Sequence, residues 1–534
     1  MAMHCYLFEA TAIQPYITDG GRLRDLVGAS DLIERLCDRD GLLDGALAAL
    51  GETGGRIRFS RRAAGVFFAF SEDAEAIGRL ARLWPLLVQQ HTPLLSFNQA
   101  RGSGATAHEA FADAQPRLAQ SRSLQAPWLP QAGPLLARNP RTGLVGVQRR
   151  RDGEVWDITT ARKAQHARGD RLAARFADLD AEAWPINLSP EGGEARAFPH
   201  RGDSRYIAVV HADGNGLGQL LMDLSASLKG QPDAVYLNRF LAFSEAIGQA
   251  TRQAAREATA AVLLPAREAE GHGMVPARPI VLGGDDLSVI VRADLAIAFT
   301  RAFLAAFSRQ TEAALGRLRA EQGLAFSLPR LTACAGVAFV KASQPFPMAA
   351  ALAESLCAAA KQASKTGLAA DREVPASLAF HRVTTSLVDD YEVILAQELT
   401  TPGAPPLRHT LGAYAIEAGS HLPTLNDLLA LQALLGDAGA GGKGSMRQLL
   451  GLLGRAPEQA QLAYRRWREL MRENAKATLG QFDRLMTQLT GSAPDDLPFG
   501  PIRDGMRHSP LGDGVALLSA GSELPAASQE REAA

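Results

Sequence analysis

Apolar and polar positions run through the same succession twice along this chain. At 4–10 they fit a short strand, and over 22–37 the residues Leu23, Leu26, Val27, Leu32, Ile33 and Leu36 recur at helical spacing. A second helix near 40–50 leads into a hairpin with strands at 56–60 and 65–70. A helix over 74–90, a strand over 94–99 and a helix over 105–120 follow. The succession restarts at Arg205. A strand over 206–213 runs into Gly214-Asn215-Gly216-Leu217-Gly218, which opens a helix. Then come a longer helix at 234–259, a loop at 267–278, a hairpin over 279–291, a helix over 294–321, a strand over 331–341, a helix over 348–365 and a last strand near 377–383.

A repeated order of elements marks a duplicated fold. Strand, helices, hairpin, helix, strand and helix suit a small antiparallel sheet with helices on one face. The expected class is therefore α+β, with two ferredoxin-like units followed by an α-helical C-terminal domain. The first unit is expected over 1–120 and the second over 201–386. Between them, 121–200 reads as a linker or small basic domain, with Pro127, Pro130, Pro134 and Pro140 and the run Arg149-Arg150-Arg151. Helices near 424–435, 445–454 and 457–489, divided by a glycine-rich stretch at 436–444, make up 387–515. The Ala, Ser and Glu-rich tail, 516–534, is expected to be disordered.

Composition narrows the class. With 534 residues the chain is long enough for about 3 to 4 domains. Hydrophobic residues at 46% supply ample core, and a net charge of −1 argues against global attraction to nucleic acid. Locally, 138–171 holds nine Lys or Arg against four Asp or Glu, a solvated face or a contact for RNA or protein. Cys5, Cys37, Cys334 and Cys357 show no zinc spacing and read as core residues of a reducing compartment. With no leader pattern and no membrane-spanning apolar run, a cytoplasmic location without membrane contact is expected.

The candidate chemistry lies in the second copy. Gly283-Gly284-Asp285-Asp286 sits between apolar runs, so two adjacent carboxylates crown a hairpin. They repel one another unless a cation lies between them, which suits hard, oxygen-binding Mg²⁺ or Mn²⁺. If the strand ending at Asp213 neighbours this hairpin, three carboxylates converge as a two-metal site requires. Amides of 214–218, at a helix start, are placed to receive phosphate oxygens. Lys361 and Lys365, spaced i and i+4, project from one helix face and are either a triphosphate clamp or a solvated pair. Asn215 could touch a base or cap the helix, and His211 reads as a satisfied core histidine. Setting hairpin on hairpin puts Ala64-Gly65-Val66-Phe67 beside Gly283-Gly284-Asp285-Asp286. Only the second copy then has acids to hold metal.

Together these segments resemble a known family. Ala212 to Gly218, Gly283-Gly284-Asp285-Asp286 and Ala360-Lys361 with Lys365 are similar to the large palm-polymerase subunit of type III CRISPR effector complexes, a relative of GGDEF-type diguanylate cyclases. Phe8-Glu9, Ile13-Gln14, Arg24 to Gly28 and Ser30 resemble that family's first, inactive palm, and the likeness spans 1 to about 385. The resemblance implies two nucleotide cyclase-like palms with two nucleotides in the cleft between them, and ATP polymerised into cyclic oligoadenylates with Mg²⁺ or Mn²⁺. Asp213, Asp285 and Asp286 would hold the metals, Gly283 and Gly284 would shape the turn, and Gly214, Asn215, Gly216, Lys361 and Lys365 would contact nucleotide. It also implies other effector-complex subunits and a switch by target RNA on a guide RNA. Two departures stand out. The chain begins directly with the first palm, with no His-Asp nuclease domain, so DNA cleavage is not expected. The family's inter-palm zinc cysteines are missing from 121–200. A cyclase with another product, or a nucleotide-binding scaffold, are the alternatives.

Overall fold

Four apolar residues in a row, Cys5, Tyr6, Leu7 and Phe8, cannot all face one side of a strand, and each is almost wholly buried. They belong to β1 (Met3–Thr11), one of the two inner strands of a sheet with β2 (Arg58–Ala63), β3 (Val66–Ser71) and β4 (Ser96–Gly104) in the antiparallel order β2-β3-β1-β4. The computed structural model describes residues 2–63, 65–123, 133–169, 171–188, 196–201, 205–271, 273–369, 372–385, 388–437 and 442–521. Tyr6 and Phe8 pack with Phe67 and with Trp84 of the helix Ala74–His91. Cys5 and Leu7 face the helix Ala107–Ser121, whose Ala110 carbonyl accepts the Cys5 thiol hydrogen at 3.1 Å. Helices therefore cover both faces of the sheet, where the sequence reading placed them on one: a strand apolar on successive residues needs cover on both sides.

The second sheet has six strands in the order β14-β11-β10-β7-β9-β8. Four adjacent strands at one end of it, β7 (Tyr206–Asn215), β8 (Ala277–Gly283), β9 (Asp286–Arg292) and β10 (Thr332–Lys341), repeat the connectivity of the first sheet. β11 (Ser377–Arg382) joins parallel to β10, and β14 (Ala413–Ala415) adds an antiparallel edge. Between the two sheets, β5 (Gly146–Arg149) and β6 (Val155–Asp157) form a hairpin leading to the helix Ile158–Gln165. That helix docks on the helix Leu23–Cys37 so closely that a Cβ on Gly28 would lie 1.9 Å from the Lys163 carbonyl oxygen. Lys163 is itself buried and donates to the carbonyls of Tyr16 and Asp19, while Arg141 pairs with Asp25. Part of the basic segment 138–171 is thus committed to the first unit. Arg149, Arg150 and Arg151 remain exposed, Arg150 over the Trp156 ring. Pro127 and Pro130 lie outside the described residues.

The C-terminal region is helical over Leu425–Gly436, Gly442–Leu453, Pro457–Asn474, Lys476–Thr490 and Leu511–Ala520. Three corrections apply to it. Besides β14, residues 387–515 hold a small sheet of β12 (Thr400–Thr401), β13 (Leu407–Arg408), β15 (Ile502–Arg503) and β16 (Met506–His508). The pattern at 457–489 is two helices broken at Ala475. The expected tail from 516 begins inside the helix Leu511–Ala520, whose Leu517 is fully buried, and 522–534 lie outside the described residues, as do 438–441 of the glycine-rich stretch. The loop at 267–278 is also shorter than expected, because the helix Leu264–Glu270 occupies its start. Among the described residues no helix is long and apolar enough to cross a membrane.

The two sheets meet along the helix Leu23–Cys37. The Ser30 hydroxyl donates to the Ile280 carbonyl on β8 at 2.8 Å. Arg175 ties Glu34 and Asp38 of that helix to the Leu282 carbonyl. Gln14 Nε2 donates to His211 Nδ1 at 3.1 Å, which holds the ring neutral as burial already favours. These contacts set the β8–β9 hairpin against the first unit.

Candidate active site

Strand pairing brings the acids together. β7 and β9 run antiparallel with Ala212 opposite Leu287, so the next residues along, Asp213 and Asp286, face each other at the sheet end. β8 and β9 close at Gly283 opposite Asp286, which leaves Gly284 and Asp285 as a two-residue turn. Gly284 has φ 62°, in the left-handed region that favours glycine at this kind of turn. Gly214 does something the sequence did not reveal. A Cβ there would lie 2.6 Å from both Cβ and Oδ2 of Asp285, so glycine is what lets β7 and the turn approach.

Burial and like charge act together on the cluster. Burial raises the pKa of Asp285, and the Asp213 charge adds to it. Asp286 is raised to about 8 by burial, then by Asp285 and Asp213, and when protonated it donates to Asp213. Lys361, on the helix Phe346–Lys365, donates to Asp213 and, at 2.8 Å, to the Gly214 carbonyl. Burial opposes its charge, but the Asp213 hydrogen bond and ion pair outweigh that and raise its pKa. Among the described residues no three carboxylate, histidine or cysteine side chains stand in metal-binding geometry. The donor set nevertheless fits a hard divalent cation: three carboxylates lie together, burial and mutual repulsion raise the pKa of Asp285 and Asp286, and among the described residues the one cation hydrogen-bonded to the three acids is Lys361, on Asp213.

Not every predicted residue joins this cluster. Lys365 is exposed and makes no hydrogen bond or ion pair among the described residues. Asn215 points into the core, where its Nδ2 donates to Thr332 Oγ1 at 3.1 Å and to Cys334 Sγ at 3.3 Å. Both expectations for Asn215 are corrected: the last residue of a strand buried against β10 has its side chain inside the sheet stack, away from base and helix end. Gly216 is the helix cap, with φ 91°, ahead of the helix Leu217–Ser227.

The first unit differs at its turn. Ala63 pairs with Val66, so Gly65 corresponds to Asp285 and Val66 to Asp286, one residue from the alignment read off the sequence. Ala64 lies outside the described residues. Glu9 opposes Val66 as Asp213 opposes Asp286, and it is held bidentately by Arg122 at 2.7 and 2.8 Å. One acid therefore survives in the first copy, locked in an ion pair.

Three cavities surround the acids. One of about 160 Å³ contains Asp285, Asp286, Ser30 and Arg61. Next to it, about 430 Å³ is bounded by Phe68, Phe111, Tyr236, Phe240 and Phe243, with Gly218 and Gly284 at its edge. The third, about 810 Å³, lies beyond Gly283 and Gly284 and is rich in arginine. The aromatic and arginine residues come from scattered elements and carry no local motif.

Comparison with known proteins agrees with this geometry at the domain level. Residues 206–369 match the model of the Cas10/Cmr2 second palm domain. No curated protein matches the chain. Among solved structures, the Csm1–Csm4 cassette in complex with cA4 is 13% identical over 97% of this chain and 70% of that one, with a TM-score of 0.44. The cassette with one ATP gives 13%, 98%, 70% and 0.47. Csm1 of T.onnurineus gives 13%, 98%, 70% and 0.46. Residues 206–369, which hold β7 to β10 and the helices from Leu217 to Lys365, are thus similar to the second palm domain of Cas10/Cmr2.

Proposed function

We propose that this chain is a nucleotidyltransferase that joins ATP into cyclic oligoadenylates within an RNA-guided, type III CRISPR-like effector complex. The observation that carries this reading is the convergence of Asp213, Asp285 and Asp286 at one end of a palm sheet, beside a pocket lined by five aromatic rings. An aromatic-walled cavity of about 430 Å³ suits a purine base. In the reaction a ribose hydroxyl oxygen bonds to the α-phosphorus of ATP, pyrophosphate leaves, and the hydroxyl proton is lost. Mg²⁺ or Mn²⁺, held by Asp213, Asp285 and Asp286, would lower the hydroxyl pKa and neutralise phosphate charge. Gly214 and Gly284 hold the acids in place by letting strand and turn touch. Lys361, which donates to Asp213 and to the Gly214 carbonyl, is the lysine placed to contact a nucleotide phosphate. Guide RNA, target RNA and further subunits are the expected partners, with exposed Arg149 to Arg151 a candidate contact.

The test is to incubate the full chain with ATP or GTP and Mg²⁺ or Mn²⁺, with and without RNA-guided complexes, and identify products by mass spectrometry. Cyclic oligoadenylates that vanish in Asp285→Asn with Asp286→Asn support the proposal. Cyclic di-GMP alone would replace it with the cyclase reading, and no nucleotide product under any condition would leave a scaffold.

A further inference from the structure

Arg61 is the one side chain that borders all three cavities around the acids. It stands on β2 of the first unit, the strand that packs against the helix Asp233–Ala258 of the second. Its guanidinium lies 5.8 Å from the Phe68 ring centre and has no hydrogen bond or ion pair among the described residues. Burial works against its charge, while Asp285, Glu9 and Asp286 favour it.

The neighbouring charges are already committed. Arg62 donates to the Cys37 carbonyl at 2.7 Å and the Asp38 carbonyl at 2.9 Å and pairs with Asp44. Arg175 holds Glu34 and Asp38, and Glu9 is taken by Arg122. Among the described residues Arg61 alone keeps five unused N–H donors at the mouth of the acid cluster. A sheltered guanidinium without a partner is costly, and an arriving phosphate, which it can grip bidentately, removes that cost. Its position also has a geometric meaning. A nucleotide with its base among Phe68, Tyr236 and Phe243 and its reacting phosphorus at the acids must pass its phosphate chain through the junction of these cavities, where Arg61 stands.

We propose that Arg61 is the phosphate-positioning residue contributed by the first palm. It grips the triphosphate of the nucleotide whose base occupies the aromatic pocket. The copy without a metal site thereby supplies a cation to the copy that has one. This inference rests on the nucleotidyltransferase reading and deepens it.

The test is calorimetric binding of ATP with Mg²⁺, and separately of adenosine, to the full chain as wild type, Arg61→Met and Arg61→Lys. Arg61→Met removes a guanidinium that makes no hydrogen bond or ion pair among the described residues, so the melting temperature should not fall. Expected are a loss of ATP affinity of roughly tenfold or more in Arg61→Met, partial recovery in Arg61→Lys, and unchanged adenosine affinity in both. Equal loss of ATP and adenosine would mean that Arg61 only shapes the pocket, and the assignment falls. Unchanged ATP binding in Arg61→Met, alongside product formation that depends on Asp285 and Asp286, also removes Arg61 and leaves the enzyme reading intact. A wild-type chain that binds no ATP overturns both.

Discussion

Replacing Gly214 with alanine places a methyl carbon where the Asp285 side chain already lies. The new Cβ falls 2.6 Å from Asp285 Cβ and Oδ2 and 3.0 Å from Cγ, while carbon atoms rest at about 3.5–4.0 Å. The turn at Gly284 and Asp285 must therefore retreat by about 1 Å, since β7 is clamped between β9 and β10 and cannot move instead. Overpacking of this kind costs about 1–3 kcal/mol of stability, which a chain with two large packed cores survives. A displacement of about 1 Å in reacting groups costs on the order of 100-fold in rate. Gly214→Ala should thus remain folded, melt a few degrees lower, and lose about 99% of its product formation. The assay is the initial rate of ATP consumption with Mg²⁺, followed beside a thermal melt. Gly316→Ala is the control: it adds a methyl to an exposed site of the helix Ala296–Gln322 with nothing within 4 Å, and it should leave the rate unchanged and stability slightly raised. Full activity in Gly214→Ala would refute the argument that the approach of β7 to the turn sets the acids.

Two further outcomes follow from the buried acids. Because Asp285 and Asp286 are raised, the metal-free protein retains protons that its unfolded chain releases near pH 4, so metal-free stability falls as pH climbs from about 4 to about 8. Mg²⁺ must displace those protons, so its apparent affinity should rise with pH up to about 8. Calorimetry in two buffers of different ionisation heat should show proton release that Asp286→Asn reduces. In the C-terminal region, Asp513 accepts from the Thr410 hydroxyl, the Leu411 amide and the Tyr414 hydroxyl, yet burial still raises it to about 7. Its contribution to stability is present below about pH 4 and is lost as pH rises through about 7, so Asp513→Asn should flatten the dependence of the melting temperature on pH between 4 and 8.

What could be read before the structure was what depends on local order. The Gly283 to Asp286 turn was legible because its glycines and flanking apolar runs leave few alternatives, and the duplication was legible because hydrophobic period survives when identity does not. What was lost depends on pairing across the fold. Gly65 was matched to Gly284 by residue type, but strand register decides the correspondence, and Ala63 opposite Val66 shifts it by one. Lys361 and Lys365 share a helix face, yet only the residue one turn earlier overlies Asp213. Asn215 and Gly214 are adjacent in a segment whose sequence suggests a phosphate-binding helix start, but both belong to β7, where one faces the core and the other lets Asp285 in. Arg61 carried no signal, being one of several arginines on an amphipathic strand.

Register also makes the kinship of the two copies more specific than element order does. In each unit the first strand carries an acid two residues before its end, Glu9 or Asp213, and a basic residue at or near the end of the helix following the last core strand, Arg122 or Lys361, lies on it. That ion pair is common to both copies, so it cannot be what separates a metal site from a wall. The difference is confined to the hairpin, where Gly65 and Val66 stand in place of Asp285 and Asp286. In the first unit the acid and its arginine satisfy each other and need no third charge. In the second, two added carboxylates outnumber the lysine, and the surplus negative charge draws in what the first copy no longer needs. A divalent cation would answer that surplus, and Arg61 faces it from across the cleft.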